Sequence, residues 1–174
     1  MTKNKVTQKI LITGMPYSGK SYVSGFLKKK RKNIFDADDI NGLGQWFDRN
    51  GNKVDFPHDA NKEWLNSHDF LWDEDFLRSW LHEQRSTVFL FGLAANVLDV
   101  VNLFDKAYYL DMSPELLRKR FSNNERSNSM GQTEEQQKAI SSDLNSFAQK
   151  AKEKGLIFVQ ADQLPEDIYK TVAG

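Results

Sequence analysis

Gly14-Met15-Pro16-Tyr17-Ser18-Gly19-Lys20-Ser21 fits the pattern G-x-x-x-x-G-K-[ST] without substitution. Backbone N–H groups of such a glycine-rich turn, together with the positive end of the following helix dipole, can hold phosphate oxygens. Lys20 would reach the outer phosphates, the Ser21 hydroxyl would ligand Mg²⁺, and Tyr22 continues the binding segment. An ordinary glycine-containing turn with an exposed lysine is the competing reading, and the flanking sequence weighs against it. An apolar run at 9–13 enters the first glycine as a buried parallel strand would. Beyond Ser21, Val23, Phe26 and Leu27 recur at helical spacing. Strand, turn and helix stand in the required order, so the expected ligand is a nucleoside triphosphate, ATP with Mg²⁺.

Positioning such a turn needs a scaffold, and the rest of the chain supplies its pattern. Strand runs are expected at 9–13, 33–36, 87–91, 107–111 and 156–159, with helical patterns between them. Asp73 reads as the N-cap of a helix whose stripe is Phe76, Leu77, Trp80 and Leu81. Ser113-Pro114-Glu115 starts another helix, and Thr133-Glu134-Glu135-Gln136 forms a capping box for a long one. Residues 42–69 read as irregular and polar around a short helix at 60–65. Five strands separated by helices predict an α/β fold of three layers, a five-stranded parallel sheet covered on both faces. The chain reads as one domain over 1–174, with a substrate-binding insert at about 42–72 and a lid at about 123–133.

In such sheets ligands sit beyond the carboxyl ends of the strands. That rule gathers Asp36 and Asp38 after the second strand, Gly92 to Asn96 after the third, and Asp111 after the fourth. A carboxylate beside a transferred phosphoryl group can hold Mg²⁺ or accept a proton from an attacking hydroxyl. Asp36 and Asp38 could divide those tasks, with Asp39 read as the cap of a helix starting near Ile40. Asp111 reads as a structural residue of its turn. Arg126 lies in the polar stretch 123–132, where an arginine could close over the reacting phosphate. Arg120 fits a phosphate contact or a salt bridge on its helix. Trp46 is the candidate for stacking on a planar or apolar part of the acceptor, with Gly92 and Asn96 on the same acceptor side.

Composition narrows the classes. Lys+Arg and Asp+Glu are both 24, so the net charge is zero and a dedicated nucleic-acid binder is disfavoured. The basic run at 28–32 reads as a solvated helix end. With no cysteine there is no disulfide framework, thiol nucleophile or cysteine metal site. No apolar stretch approaches membrane-spanning length, and the polar start leaves no room for a signal peptide, so a soluble cytoplasmic protein is expected. His58, His68 and His82 read as solvated, and the only metal inferred is nucleotide-bound Mg²⁺.

At these positions the chain resembles the small P-loop kinases, which include shikimate, gluconate and nucleoside-monophosphate kinases. The resemblance spans nearly the whole length and rests on 14–21, the Asp36-Ala37-Asp38 pair, the glycine ending the third strand and the arginine-bearing lid. More closely, it looks like uncharacterised bacterial ATP-binding proteins labelled nucleotide kinases. Their Asp-rich segment, tryptophan, Arg-x-Asn-Asn-like lid and Gly-Lys appear here as residues 36–39, Trp46, Arg126-Ser127-Asn128-Ser129 and Gly131-Gln132. The resemblance implies ATP as donor, a lid that closes during transfer, Asp38 on the acceptor hydroxyl and Asp36 assisting Mg²⁺. Gln132 replaces the lysine of that group, Leu93-Ala94-Ala95-Asn96 replaces the glycine cluster of shikimate kinases, and Arg49 is the only arginine in 42–72. A small-molecule kinase with a nucleoside, nucleotide or sugar-like acceptor is therefore expected. The alternatives are a nucleotide-dependent switch that phosphorylates nothing and, behind it, a polynucleotide 5′-hydroxyl kinase.

Overall fold

The computed structural model describes residues 7–123, 131 and 133–174. β1 (Lys9–Thr13) sends alternate side chains to opposite sides, Ile10 and Ile12 into one core and Leu11 into the other. It feeds the glycine-rich turn and then α1 (Lys20–Lys28), which buries Val23, Ser24 and Leu27. β2 (Ile34–Asp36) ends in a single 3₁₀ turn over Ala37–Asp39. The Asp36 carboxylate caps that turn by accepting from Asp38 N. This corrects the expectation for Asp39, which instead forms an ion pair with Lys28.

The stretch expected to be irregular folds into a second, antiparallel sheet. β3 (Gly44–Asp48), β4 (Lys53–Val54) and β5 (His68–Trp72) assemble in the order β4-β3-β5, with α2 (Lys62–Ser67) before the last strand. Aromatic residues at 46, 47, 70 and 72 favour strand, whereas the polar residues between them hide the alternation. The β3–β4 turn is held by Asp48, whose Oδ1 accepts from Asn50 N and Asn52 N, both at 2.8 Å, with Gly51 at φ 80°. Three donors on one carboxylate hold the Asp48 pKa below its ordinary value, the Asn52 side chain contributing most.

Beyond it, α3 (Glu74–Glu83) is capped by Asp73 as expected, the carboxylate accepting from Phe76 N. β6 (Val88–Phe91) and β7 (Lys106–Asp111) are almost wholly buried. α4 (Pro114–Ser122) is capped by Ser113, and α5 (Glu134–Glu153) by Thr133. β8 (Ile157–Gln160) and α6 (Pro165–Ala173) complete the chain. The five main strands are all parallel, in the order β2-β6-β1-β7-β8. The connections leave β1 toward β2 on one side and reach β7 on the other. The carboxyl end of β1 is thus the switch point of the sheet, the place where open α/β sheets commonly bind ligands.

The basic run at 28–32 also departs from a solvated end. Glu166 of α6 binds both Lys30 and Arg31, each at 3.0 Å, and the Arg31 guanidinium lies 3.8 Å over the Tyr169 ring. Hydrogen bonds from Arg31 first, and then Lys30, hold the Glu166 carboxyl below its usual range. Those cations tie α1 to α6. No helix among the described residues is long and apolar enough to cross a membrane.

Candidate active site at the carboxyl end of the parallel sheet

The turn at 14–21 wraps the amino end of α1 at the switch point. Gly19 takes φ 93°, and Tyr17 at φ 69° is the one non-glycine residue with positive φ among the described residues. A Cβ on Gly14 would come 2.7 Å from Ser18 Oγ and 3.1 Å from the Leu110 carbonyl, so glycine there permits a tight approach to β7. Lys20 curls back over the turn, its Nζ donating to Gly14 O at 2.6 Å and Met15 O at 3.0 Å. Ser18 Oγ lies 3.3 Å from the same nitrogen. An ammonium is therefore held against the carbonyls of the turn just before α1. Met15, Tyr17 and Ser18 are buried, whereas Ser21 and Tyr22 are exposed on the first turn of α1.

Arg120 fastens the turn from behind. Its Nη1 donates to Tyr17 O at 2.6 Å and its Nη2 to Ala161 O at 2.7 Å, joining the glycine-rich turn to the residue after β8. Burial lowers its pKa and the charge of Asp162 works against that, while a guanidinium remains cationic at any physiological pH. The salt bridge entertained for it is replaced by carbonyl contacts, which suit a charge buried beside backbone.

Asp36 and Asp38 lie at the same carboxyl end of the sheet, two strands from β1, because β2, β6 and β1 are successive neighbours, Asp36 and Ile12 both in register with Phe91. Asp36 is buried, and its Oδ2 accepts from Ser24 Oγ of α1 at 2.9 Å. Asp38 is exposed at the rim, one residue beyond. Gly92, the residue after β6, is buried at the same end of the sheet. A Cβ there would lie 2.5 Å from Ala37 Cβ and 2.6 Å from Trp72, so the three pack without room for a side chain. The Ser24 bridge was not legible in sequence; a serine on the buried face of α1, three residues after Ser21, was its only signal.

Other candidates go elsewhere. Both amide groups of Asn96 are engaged by the Trp72 backbone, accepting from N at 2.9 Å and donating to O at 2.8 Å. Trp46 packs inside the second sheet against Phe56, Trp64 and Phe70, with centroids 5.1, 4.9 and 5.5 Å away. Trp80 packs edge-on against Phe35 at the margin of the core, as its helical spacing suggested. His68 is half-buried, not solvated: it stacks on Trp64 at 4.0 Å, with Nδ1 2.8 Å from the Trp64 carbonyl. Asp111 accepts from Gln160 Nε2 at 3.3 Å, in keeping with a structural part. Arg126 and the residues of the expected lid at 124–130 and 132 lie outside the described residues. A groove of about 690 Å³ between the insert and α5 is lined by Arg49, Asn61, Lys62, Asn66 and Glu135, but by no residue of 14–21, so it is separate from the glycine-rich turn.

Residues that could contribute oxygen to a Mg²⁺ ion here are Ser21, an exposed hydroxyl on the first turn of α1, and Asp36, a buried carboxylate bound to the same helix through Ser24. Each carboxylate oxygen that accepts one protein hydrogen bond retains further acceptor capacity.

Five parallel strands in this order, with this turn at the switch point, constitute the fold of the small P-loop kinases. Solved structures of that fold superpose along almost the whole chain. Shikimate kinase from Acinetobacter baumannii in complex with shikimate gives a TM-score of 0.58 at 14% identity, over 97% of this chain and 92% of that one. Deoxyadenosine kinase from M. mycoides with bound dATP gives 0.51 at 14% identity, over 95% and 100%. A sugar kinase from Janibacter sp. gives 0.51 at 16% identity, over 95% and 92%. No protein-family model matches the chain, and no curated protein matches it in sequence.

Proposed function

We propose that the chain is an ATP- and Mg²⁺-dependent phosphotransferase acting on a small hydroxyl- or phosphate-bearing acceptor, a nucleoside or nucleotide first and a sugar-like metabolite second. The observation that carries this reading is Lys20 held over the glycine-rich turn, with Asp36 at the end of β2, two strands from β1, tied to α1 through Ser24, and Asp38 just beyond it. Phosphate oxygens would displace the carbonyls from Lys20, because a hydrogen bond between two ions is stronger than one to a neutral oxygen. Residues 14–19 would cradle the phosphates through their amides, and Arg120 would keep that cradle rigid while adding positive charge behind it. Ser21 and Asp36 would hold Mg²⁺, which when bound neutralises charge on the outer phosphates.

The acceptor would lie between Asp38, Gly92 and the 42–72 insert, with Trp46 in the wall of that insert. Its hydroxyl oxygen attacks the γ-phosphorus in line, the bond to the β–γ bridging oxygen breaks, ADP leaves, and Asp38 takes the hydroxyl proton. Arg126 is proposed to supply charge to the transferring group. The core and insert act as one unit in this scheme, and a cytoplasmic setting, where ATP is abundant, suits it. The kinases that share the fold support the reaction class.

ADP release measured against a panel of nucleosides, nucleotides and sugars tests the reading. One acceptor should stimulate release, and Asp38→Ala should abolish that stimulation while leaving nucleotide affinity within about threefold, since a proton acceptor contributes mostly in the transition state. The engagement of Asn96 by Trp72 favours a second reading, a nucleotide-dependent switch, by removing one polar group from the acceptor side. Slow hydrolysis indifferent to every acceptor and to Asp38→Ala would select that reading.

A further inference from the structure

A buried path of hydrogen bonds leaves the phosphate turn and reaches the insert. Tyr17 belongs to the turn, and its ring is edge-on to Phe121 at the end of α4, with centroids 4.8 Å apart. Its hydroxyl donates to the Gly131 carbonyl at 2.7 Å. Gly131 sits at φ 87°, and a Cβ there would come 2.3 Å from the Tyr17 ring, so the contact requires glycine. Gly131 N then donates to Gln136 Oε1 at 2.8 Å, and Gln136 Nε2 donates to the Ala60 carbonyl at 2.7 Å. Gln136 is 0% exposed and Ala60 2%.

A fully buried amide must have its hydrogen bonds made by protein, and this one makes them to backbone 5 and 76 residues away. Ala60 immediately precedes Asn61, the N-cap of α2, and α2 carries Trp64 against Trp46. Tyr17 is itself a residue of the turn, in a left-handed backbone conformation, while Arg120 fixes its carbonyl, so a shift of the turn's other residues would reach the insert through the Tyr17 side chain.

We propose that Tyr17, Gly131 and Gln136 form a relay through which occupancy of the phosphate turn sets the position of the 42–72 insert, Gln136 acting as a positioning residue through Ala60. The relay rests on the reading of residues 14–21 as a triphosphate cradle. Linkage makes it reciprocal: whatever fixes the insert raises nucleotide affinity by the same factor.

The tryptophans report on it, since Trp46, Trp64 and Trp72 lie in the insert and Trp80 follows it in α3. The experiment titrates the intact chain with Mg²⁺ and a non-hydrolysable ATP analogue, following tryptophan emission and, in parallel, heat of binding. Wild type should bind with a saturable emission change. Gln136→Met, which keeps the volume and removes both bonds, should still bind, within about tenfold, and lose most of the emission change. Gly131→Ala breaks the path at its other bond and should do the same, so it decides the matter if Gln136→Met is unfolded. Variants that bind with the full wild-type emission change overturn the relay, as does wild type binding with no emission change. Absence of binding heat in wild type overturns the cradle reading and the relay with it, which separates the two failures.

Discussion

Tyr109 carries one of three buried side-chain polar atoms without a hydrogen-bond partner among the described residues, with Thr13 Oγ1 and Trp72 Nε1. It is fully buried. Burial pushes its pKa up to about 12 from an ordinary 10.0, and the charge of Asp111 acts in the same direction. Above pH 10 the unfolded chain sheds a phenolic proton that the folded chain keeps until about pH 12. Its contribution to stability is therefore complete below pH 10 and is lost as pH rises through that window. Tyr109→Phe should flatten the alkaline limb of stability and add about 1 kcal/mol at neutral pH, because an unpaired buried hydroxyl is removed. Urea unfolding at neutral and alkaline pH checks this; a clear loss at neutral pH would contradict it. Gly92→Ala should act in the opposite sense. Its Cβ would meet Ala37 and Trp72 inside van der Waals distance, so a loss of about 1–3 kcal/mol is expected in the same assay.

Among the elements, α4 has the most consequential start, because it presents Arg120 to the glycine-rich turn. Ser113 accepts from Leu116 N at 3.1 Å, and Ser113→Ala should cost about 1 kcal/mol in unfolding free energy. A thermal melt measures it directly. That cap, the Asp73 cap and all five parallel strands were legible in sequence, since each rests on local chemistry: a side-chain oxygen before a helix, or an apolar run entering glycine. The three-stranded sheet at 44–72 was not, because its pairing is long-range and its strands are half-buried on both faces, which blurs the alternation. Of the site, the turn and the two aspartates could be read. The commitments of Asn96 to Trp72, Arg120 to two carbonyls and Gln136 to Ala60 could not, since each partner lies far away in the chain.

At the scale of the molecule, a sheet with one switch point brings the turn of β1, the aspartates after β2 and Gly92 after β6 to one edge, while Arg120, the Glu166 clasp and the Gln136 path lock surrounding elements to it. A ligand bound only by this folded arrangement must stabilise the whole chain, by about 2.7 kcal/mol at a hundredfold excess over Kd. ATP with Mg²⁺ should accordingly raise the melting temperature, and ATP without Mg²⁺ should raise it less. The central claim is tested most directly by calorimetric titration of ATP·Mg²⁺ into wild type and Lys20→Ala. Saturable one-site binding by wild type, weakened about tenfold or more in the variant, is the expected result, since losing a charged phosphate contact removes at least ~1.4 kcal/mol. No binding by wild type, or equal affinity in the two proteins, would contradict it.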